Sequence, residues 1–353
     1  MATFDIFNND AFSMISMIEA IDKVPYKPSL LGDLNLFAPK PVTTRNVYVE
    51  ERNGVLSLVQ TTPRGAPLPQ RTTEKRSMRS FDTVRIAKAD HMNASEIQGV
   101  RAFGSETELM MMQKELMRRM AGPVGLQSDI ELTWEHMRLG AVQGIVLDAD
   151  GLVITNWYDE FGITQPAEIA FDLTGANAAS SDVNGATKLK KFIAQKIVRP
   201  MQRAAKGAFT PQSEVVALCG DDFYDDLTSH GDVARAYGNW LANQPSSESN
   251  AFGKFRWGGV TWINYRGTDD NSTIAIDPDE AKFFPASAPG IFINAWSPGE
   301  FFDVVNTPGI PLLPKIVPDP TVRQQYVDIE LYSYPLMICT RPEVLLRGKR
   351  GAA

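Results

Sequence analysis

The sequence predicts an α+β fold in which long helices and separate strands form more than one domain. Apolar residues recur at helical spacing between residues 109 and 145. On both sides of that stretch they alternate with polar residues, as in half-exposed strands. A chain of 353 residues with 43% hydrophobic side chains is long enough to bury a substantial core and to form two or three domains.

Residues 1–44 predict an extended N-terminal arm. Prolines at positions 25, 28, 39 and 41 interrupt any helix here, because proline lacks a backbone N–H and restricts the residue before it. Few side chains in this segment are suited to a core of their own. We therefore expect the arm to lie across another subunit, and a flexible terminus is the alternative.

Residues 45–96 predict a long hairpin ribbon. Strand runs at 47–49 and 55–58 flank a turn region that ends in Asn53-Gly54, and the chain returns through an alternating strand from Met78 to Ile86. A two-stranded ribbon with so little core material is marginally stable by itself, so we expect it to contact a partner surface. The predicted self-association residues lie in this ribbon: Arg52, Arg64, Pro67, Leu68, Arg71 and Arg76.

Residues 97–185 contain the helical track, which consists of two amphipathic runs at 109–120 and 130–145. The glycines and proline at 121–125 predict a break between the two runs. After the second run the apolar period shortens to two, and the Asp-Ala-Asp-Gly turn at 148–151 predicts a strand hairpin. Alternation of Trp157, Phe161 and Ile169 predicts further strand within 154–173.

Residues 186–318 predict an α/β domain. A helix is expected over 187–206 with a kink at Pro200, followed by an apolar strand at 215–219 that leads into an acidic helix start. Short strands are expected at 259–265, 273–276 and 290–296. The alternating stretch 326–332 predicts a long strand, which we expect beside the strands that follow the helical track.

Charge is distributed unevenly along the chain. The net charge of −7 argues against a protein whose main task is binding DNA, since phosphate neutralisation requires a basic face. Residues 61–80 contain five Lys or Arg and one Glu, whereas residues 215–305 contain thirteen Asp or Glu and five Lys or Arg. Opposite charges on separate parts of one molecule favour head-to-tail association, although two solvated surfaces would give the same pattern.

Other classes of protein are disfavoured by composition. Cys219 and Cys339 are too few for a disulfide framework and lie in apolar runs, which predicts buried, reduced thiols. No apolar run reaches the length of about 18 residues that a bilayer span requires, so no membrane association is expected. The first residues lack the basic and apolar pattern of a secretion signal.

The strongest candidate for chemistry is an acidic cluster. On a helix, Asp221 and Asp225 share one face, as do Asp222 and Asp226, and paired carboxylates can bind a divalent cation. A metal-assisted hydrolase using these aspartates is therefore the alternative function. No companion ligand set accompanies them, and acids at a helix start complement the helix dipole, so a structural role is favoured.

Other candidates also favour structural roles. His91, His136 and His230 have neither metal-ligand spacing nor a nucleophile elbow, and Asp148 and Asp150 belong to a tight turn. The basic and aromatic residues at 252–257 lie among acids, which favours local contacts over nucleic-acid stacking. Phosphate-binding glycine loops are also missing from the sequence, so neither a cofactor nor a metal is predicted.

Two stretches resemble a known protein family. Residues 97–105 (IQGVRAFGS) and residues 130–151 resemble lambda-type phage major capsid proteins, whose fold is named for phage Hong Kong 97. The likeness extends to residues 5–7 (DIF) and 332–336 (YSYPL). It implies a capsid fold with these parts: an N-terminal arm (1–44), an extended β-hairpin loop (45–96), a peripheral domain with a long spine helix (97–185), an axial domain (186–318) and a return strand of the peripheral domain (319–353).

The resemblance also implies a function without catalysis. Copies of the chain would assemble as pentamers and hexamers into the icosahedral head shell of a tailed bacteriophage, which encloses double-stranded DNA without reading its sequence. The implied partners are a scaffolding protein, a portal and a decoration protein. Assembly would take place in the bacterial cytoplasm, and the product would be part of the virion. A phage tail or neck protein is the remaining structural alternative.

Overall fold

The computed structural model describes residues 26–53, 75–97, 108–173, 188–234, 253–270, 272–319 and 325–351. The helices are α1 Leu30–Asp33, α2 Ala94–Ile97, α3 Glu108–Ala121, α4 Leu126–Gln143, α5 Trp157–Phe161, α6 Lys188–Ile193, α7 Arg199–Ala205 and α8 Asp221–Ser229. The strands are β1 Ala38–Pro41, β2 Asn46–Asn53, β3 Lys75–Asp82, β4 Ile86–Asn93, β5 Ile145–Leu147, β6 Val153–Asn156, β7 Ile169–Ala170, β8 Glu214–Cys219, β9 Lys254–Trp257, β10 Val260–Asn264, β11 Glu280–Ala286, β12 Phe292–Trp296, β13 Leu313–Pro318, β14 Tyr326–Ser333, β15 Pro335–Cys339 and β16 Leu346–Lys349.

The helical track forms two helices, α3 and α4, with the predicted break between them. Helix α4 is the longer helix and buries a stripe that includes Ile130, Trp134 and Met137. It ends at Gly144, which has a φ of 87°. A Cβ atom at this position would lie 2.3 Å from Cε2 of Tyr158, so both the conformation and the close approach require glycine.

The predicted hairpin after α4 is confirmed, since β5 pairs with β6 in antiparallel register. The prediction of strand within 154–173 is confirmed for β6 and β7 but wrong for Trp157–Phe161, which forms helix α5. The side chain of Asn156 accepts a hydrogen bond from the Tyr158 N–H (3.1 Å) and caps this helix, and Gly162 ends it in the left-handed conformation. Local capping therefore overrides the alternating pattern.

The α/β domain is built on a six-stranded mixed sheet with the order β7-β16-β11-β8-β10-β9. The predicted strands at 215–219 and 259–265 are confirmed as β8 and β10, which are parallel neighbours. The expected strand at 273–276 is wrong, because Ser272 and Thr273 bond to the carboxylate of Asp270 and hold this segment as a loop. Instead, β11 occupies the centre of the sheet.

Helix 187–206 is interrupted, as its proline predicted. Residues 194–198 form a π-helical segment between α6 and α7, and Pro200 lies in the first turn of α7. Proline is tolerated there because the first N–H groups of a helix have no intrahelical partner.

An aromatic cluster lies beside the six-stranded sheet. In it, Phe171 packs against Phe223 (5.1 Å between ring centroids) and Phe283 (5.8 Å).

The long strand predicted at 326–332 is confirmed as β14, but its expected position is wrong. It pairs with β4 on one side and β13 on the other, not with the strands that follow α4. The strand returning from the ribbon is also divided: β3 pairs with β2, and β4 joins β14. Between β3 and β4 the Val84 N–H donates to the Pro335 carbonyl (3.1 Å). This bond lies where the chain leaves the ribbon and enters the sheet of β13, β14 and β4.

A third sheet has the order β1-β12-β15 and packs near α4, where Trp134 meets Trp296 at 4.9 Å between ring centroids. The C-terminal segment is divided among three sheets, because β14, β15 and β16 each join a different one. Cys219 and Cys339 are buried free thiols, as predicted, and burial raises the pKa of Cys339 to about 12. The α+β class is confirmed.

Candidate self-association surfaces

The ribbon formed by β2 and β3 is anchored at its base. Val47 and Phe81 are register partners, and both are buried. The Phe81 ring packs edge-on against Trp157 (5.2 Å between ring centroids) and also contacts Phe161. The guanidinium of Arg79 lies 5.3 Å from the Phe161 ring centroid. The inner face of the ribbon is thus fixed to helix α5.

The outer face of the ribbon is exposed. Tyr48 and Met78, which lie on the face opposite Val47, are 53% and 69% exposed. Further from the base, the register places Arg52 opposite Arg76. Strand β2 continues through Asn53 and pairs with 75–82, so the prediction of a turn region between the runs at 47–49 and 55–58 is wrong for residues 50–53.

The six predicted self-association residues fall in two groups. Arg52 and Arg76 are brought together as cross-strand partners. The predicted strand run at 55–58 and the other four residues lie outside the described part of the chain: Arg64, Pro67, Leu68 and Arg71. Sequence reasoning missed the exposed apolar pair Tyr48 and Met78, although their alternation with Val47 and Val49 is visible in the sequence and could have identified them.

The described part of the predicted N-terminal arm packs on its own chain. Strand β1 runs parallel to β12, and Leu31 is buried. The N–H groups of Leu31 and Gly32 donate to the two carboxylate oxygens of Glu135 on α4, at 2.7 and 3.2 Å. Residues 26–41 therefore form a strap across α4, rather than an extension towards another subunit.

Glu135 is an unusual group, because its carboxylate is fully buried. Burial raises the pKa of this carboxyl above its ordinary value, while the two strap amides and the Arg138 guanidinium (3.4 Å) act in the opposite direction. One turn earlier on the same helix, Glu131 pairs with Lys27 of the strap at 2.5 Å near the surface. The strap is thus held by one buried and one part-exposed carboxylate.

The acidic cluster of α8 has a structural arrangement. The Arg350 guanidinium lies 3.3 Å from Asp222, 3.1 Å from Asp226 and 2.6 Å from Asp279. Asp221 accepts a hydrogen bond from the side-chain amide of Asn264. Within the described residues, no group of three or more His, Cys, Asp or Glu is placed to hold a metal ion. The carboxylates instead join the C-terminal segment to α8.

The other candidate catalytic or metal-binding residues lie on separate elements of the fold. His91 lies on β4, where its hydrogen bond with Asp328 (2.6 Å) raises the pKa of the imidazole, whereas His136 lies on α4 and His230 follows α8. Asp148 and Asp150 accept hydrogen bonds from amides of their own turn. On β9, Phe255 is buried and Lys254 and Arg256 are exposed, and Phe252 lies outside the described residues.

None of the described helices is long and apolar enough to cross a membrane.

A subunit with an anchored base and an exposed, projecting ribbon is suited to association rather than catalysis. The model of a family described as phage major capsid protein E matches residues 13–350, so this chain belongs to that family. Members of the family are structural proteins of the virion capsid. The predicted function as a major capsid protein is thereby confirmed, and so, together with the ribbon, long helix and sheets, is the Hong Kong 97-type fold.

Relatives extend along nearly the whole chain. The major capsid protein of Pseudomonas phage KPP10 is 25% identical over 362 residues, which cover 96% of this chain and 97% of that protein. The major capsid protein of Salmonella phage Felix O1 (isolate Felix O1-VT1) is 24% identical over 379 residues, with 97% of each chain covered. Among solved structures, the capsid of cyanophage Pam1 aligns with 88% of this chain and 86% of that one, at 13% identity and a TM-score of 0.46.

Proposed function

We propose that copies of this chain associate as pentamers and hexamers into the closed icosahedral head shell of a tailed bacteriophage. The observation that carries this proposal is the ribbon: its inner face is anchored to α5, while its outer face leaves Tyr48 and Met78 exposed. A two-stranded ribbon of this kind is marginal without a partner surface. In a shell, a neighbouring copy supplies that surface, and many weak contacts per subunit add up through their high effective concentration.

The parts of the subunit take the following roles in this proposal. Residues 45–96 form the loop that contacts a neighbour, 97–185 the peripheral domain, and 186–318 the axial domain that meets its equivalents around five- and six-fold axes. Residues preceding the described strap, within 1–44, form the arm, and 319–353 return to the peripheral domain. The self-association residues are Arg52, Arg64, Pro67, Leu68, Arg71 and Arg76.

The shell would enclose double-stranded DNA without binding a particular sequence. A net charge of −7 supports this role, because a container with a basic interior would hold the DNA that must slide into it. A scaffolding protein, a portal and a decoration protein are the further proposed partners, and the bacterial cytoplasm is the proposed site of assembly. The chain would carry no catalytic activity, which is supported by the engagement of Asp222 and Asp226 with Arg350.

Negative-stain electron microscopy of the purified, expressed chain tests this proposal. Closed shells or curved sheets are expected; stacked tubes would instead indicate a tail protein, and discrete small particles would contradict self-assembly. A variant lacking residues 60–72 should remain folded and soluble but no longer form closed shells. The matched control replaces the same residues with a Gly/Ser linker of equal length, which separates loss of the side chains from loss of loop length.

A further inference from the structure

One helical segment of this acidic chain carries only positive charge. Between Asp182 and Glu214 the sequence contains seven Lys or Arg and neither Asp nor Glu. Six of these cations are exposed on α6, on α7, on the π-helical segment between them or directly after α7: Lys190, Lys191, Lys196, Arg199, Arg203 and Lys206. The segment is thus a concentrated basic surface in a chain whose net charge is −7.

A four-residue repeat separates the buried side of this segment from its charged side. Apolar side chains are buried at every fourth position: Leu189, Ile193, Ile197, Met201 and Ala205. In a regular α-helix such a repeat would drift about 40° around the axis at each step. The π-helical segment at 194–198 has a wider turn, which offsets part of that drift. Exposed residues therefore follow one line on the opposite side, two positions after the buried ones: Lys191, Gln195, Arg199 and Arg203. This line, together with the flanking Lys190, Lys196 and Lys206, is named the basic ridge.

The cations of the basic ridge have no acidic partners in the described part of the chain, where none of the six forms an ion pair. Two acids lie on elements packed against the segment. Asp232 accepts the Leu189 N–H (3.2 Å), and Glu343 follows Pro342 beside α7. Arg341 donates to the Ala205 carbonyl and adds a further cation at the end of α7. The positive charge of the ridge is therefore available to a ligand.

The composition of the basic ridge fits a nucleic acid better than a protein partner. Its exposed side chains are those of Lys, Arg and Gln, and none of the large exposed apolar side chains of the described residues lies between positions 189 and 208. Protein interfaces have apolar and aromatic residues at their centre and contain little Lys. Contacts to DNA phosphates, by contrast, come from Lys, Arg and Gln side chains.

The length of the basic ridge also suits duplex DNA. From Lys191 to Arg203 it extends about 18 Å, since a helix rises about 1.5 Å per residue. Over that distance the two strands of a DNA duplex present about ten phosphates, because the duplex carries one negative charge for about every 1.7 Å of its axis. Several cations of the ridge can therefore each contact a different phosphate.

We propose that the basic ridge binds the phosphate backbone of duplex DNA and therefore faces the interior of the shell. This inference rests on the proposed function and adds a DNA-contacting surface to it. The contact does not read sequence, because the ridge offers charge and no element shaped to enter a groove. It is weak and strongly salt-dependent, since each copy provides only this ridge within a chain of net charge −7. DNA held in this way can still slide.

Fluorescence anisotropy with a labelled 30-base-pair duplex and the unassembled, full-length subunit tests the binding. The logarithm of the binding constant falls with the logarithm of the salt concentration by about 0.9 for each phosphate contact. The triple variant Lys191→Gln, Arg199→Gln, Arg203→Gln should therefore lower that slope by about 2.7 and weaken binding at least about tenfold at low salt. Its circular dichroism spectrum should match the wild type, because all three side chains are exposed.

The matched control removes the same charge elsewhere. Lys40→Gln, Arg45→Gln, Arg256→Gln replaces one lysine and two arginines that are also exposed. This variant should keep the slope and the affinity of the wild type. Equal losses in the two triple variants would show that only the net charge matters and would refute the ridge.

A competition experiment separates DNA from an acidic protein partner. Poly-glutamate at the same concentration of charge should displace the duplex poorly, and tighter binding of poly-glutamate than of DNA would overturn the assignment to DNA. The anisotropy measurement does not require assembly. A wild type that binds DNA through the ridge but forms no particles in the microscope would therefore refute the shell and not the binding surface.

The orientation of the ridge is tested in assembled particles. Gln195→Cys places a thiol on the ridge line, and the two native cysteines are buried. A maleimide attached to a long polyethylene glycol chain should react with this thiol only after the particles are opened with denaturant. Equally fast reaction in intact particles would place the ridge on the outer surface and refute its contact with enclosed DNA.

Discussion

Replacement of Glu135 by alanine is expected to detach the N-terminal strap from helix α4. In the folded chain its carboxylate accepts the N–H groups of Leu31 and Gly32 at 2.7 and 3.2 Å and lies 3.4 Å from the Arg138 guanidinium. The carboxylate is fully buried, and its loss would leave two backbone donors without a partner. A buried donor without a partner costs about 1–3 kcal/mol, so a loss of about 2–6 kcal/mol in the free energy of unfolding is expected.

Urea denaturation of the unassembled subunit, followed by tryptophan fluorescence, measures this loss. Trp134 lies one position before Glu135 and reports on the same helix. The matched control is Glu131→Ala, one turn away, which removes the part-exposed pair with Lys27. Exposed ion pairs contribute about 0–1 kcal/mol, so the control should change the free energy of unfolding by no more than that. Equal losses in the two variants would refute the argument that burial of the acceptor governs the strap.

Three further predictions concern the same structure. Phe81→Ala should cost about 3–5 kcal/mol and release the ribbon base from Trp157, measured by urea denaturation; a loss below about 1 kcal/mol would contradict the anchoring. Because burial raises the pKa of Glu135 above its ordinary value of 4.5, the free energy of unfolding of the wild type should fall relative to that of Glu135→Gln as the pH rises above that value, since the unfolded chain ionises first; a difference that stays constant with pH would contradict this. Because Arg350 contacts Asp222 and Asp226, neither Mg²⁺ nor a chelator should shift the thermal midpoint, and a Mg²⁺-dependent rise would favour the hydrolase alternative.

Local patterns predicted those elements whose neighbours along the chain determine them. The break between α3 and α4 follows from Gly122 and Pro123, and the β5–β6 turn follows from Asp148 to Gly151. The π-helical segment before Pro200 has the same kind of origin. In each case a backbone preference within a few residues is sufficient, so the sequence is informative about these positions.

Patterns failed where two local signals competed. Alternating apolar residues suggested a strand at Trp157–Phe161, but the Asn156 cap and Gly162 favour a helix, and the helix formed. Strand β11, which is almost fully buried and contains Pro285, gave no alternation and was missed. A strand buried on both faces has a continuous apolar run, and its period therefore carries little information.

The candidate surfaces were only partly predictable. The basic ribbon could be recognised from sequence, yet its distal pair Arg52 and Arg76 depends on a register that begins at Asn46 and Asp82. The role of the α8 aspartates also required the fold, because Arg350 lies 124 residues beyond Asp226. Separations of this size leave no periodic signal, and only packing brings the two ends together.

By itself, the sequence determined the two helices of the helical track, several of the strands, the acidic balance of the chain and its likeness to phage major capsid proteins, because these follow from composition and from short-range order. The tertiary structure alone decided which strands became neighbours. It placed β14 between β4 and β13, and it laid the segment from Tyr26 to Pro41 across α4. Many segments have a similar local preference for strand, so local sequence does not determine which two strands pair. Pairing depends on the burial of side chains and amides that lie far apart along the chain.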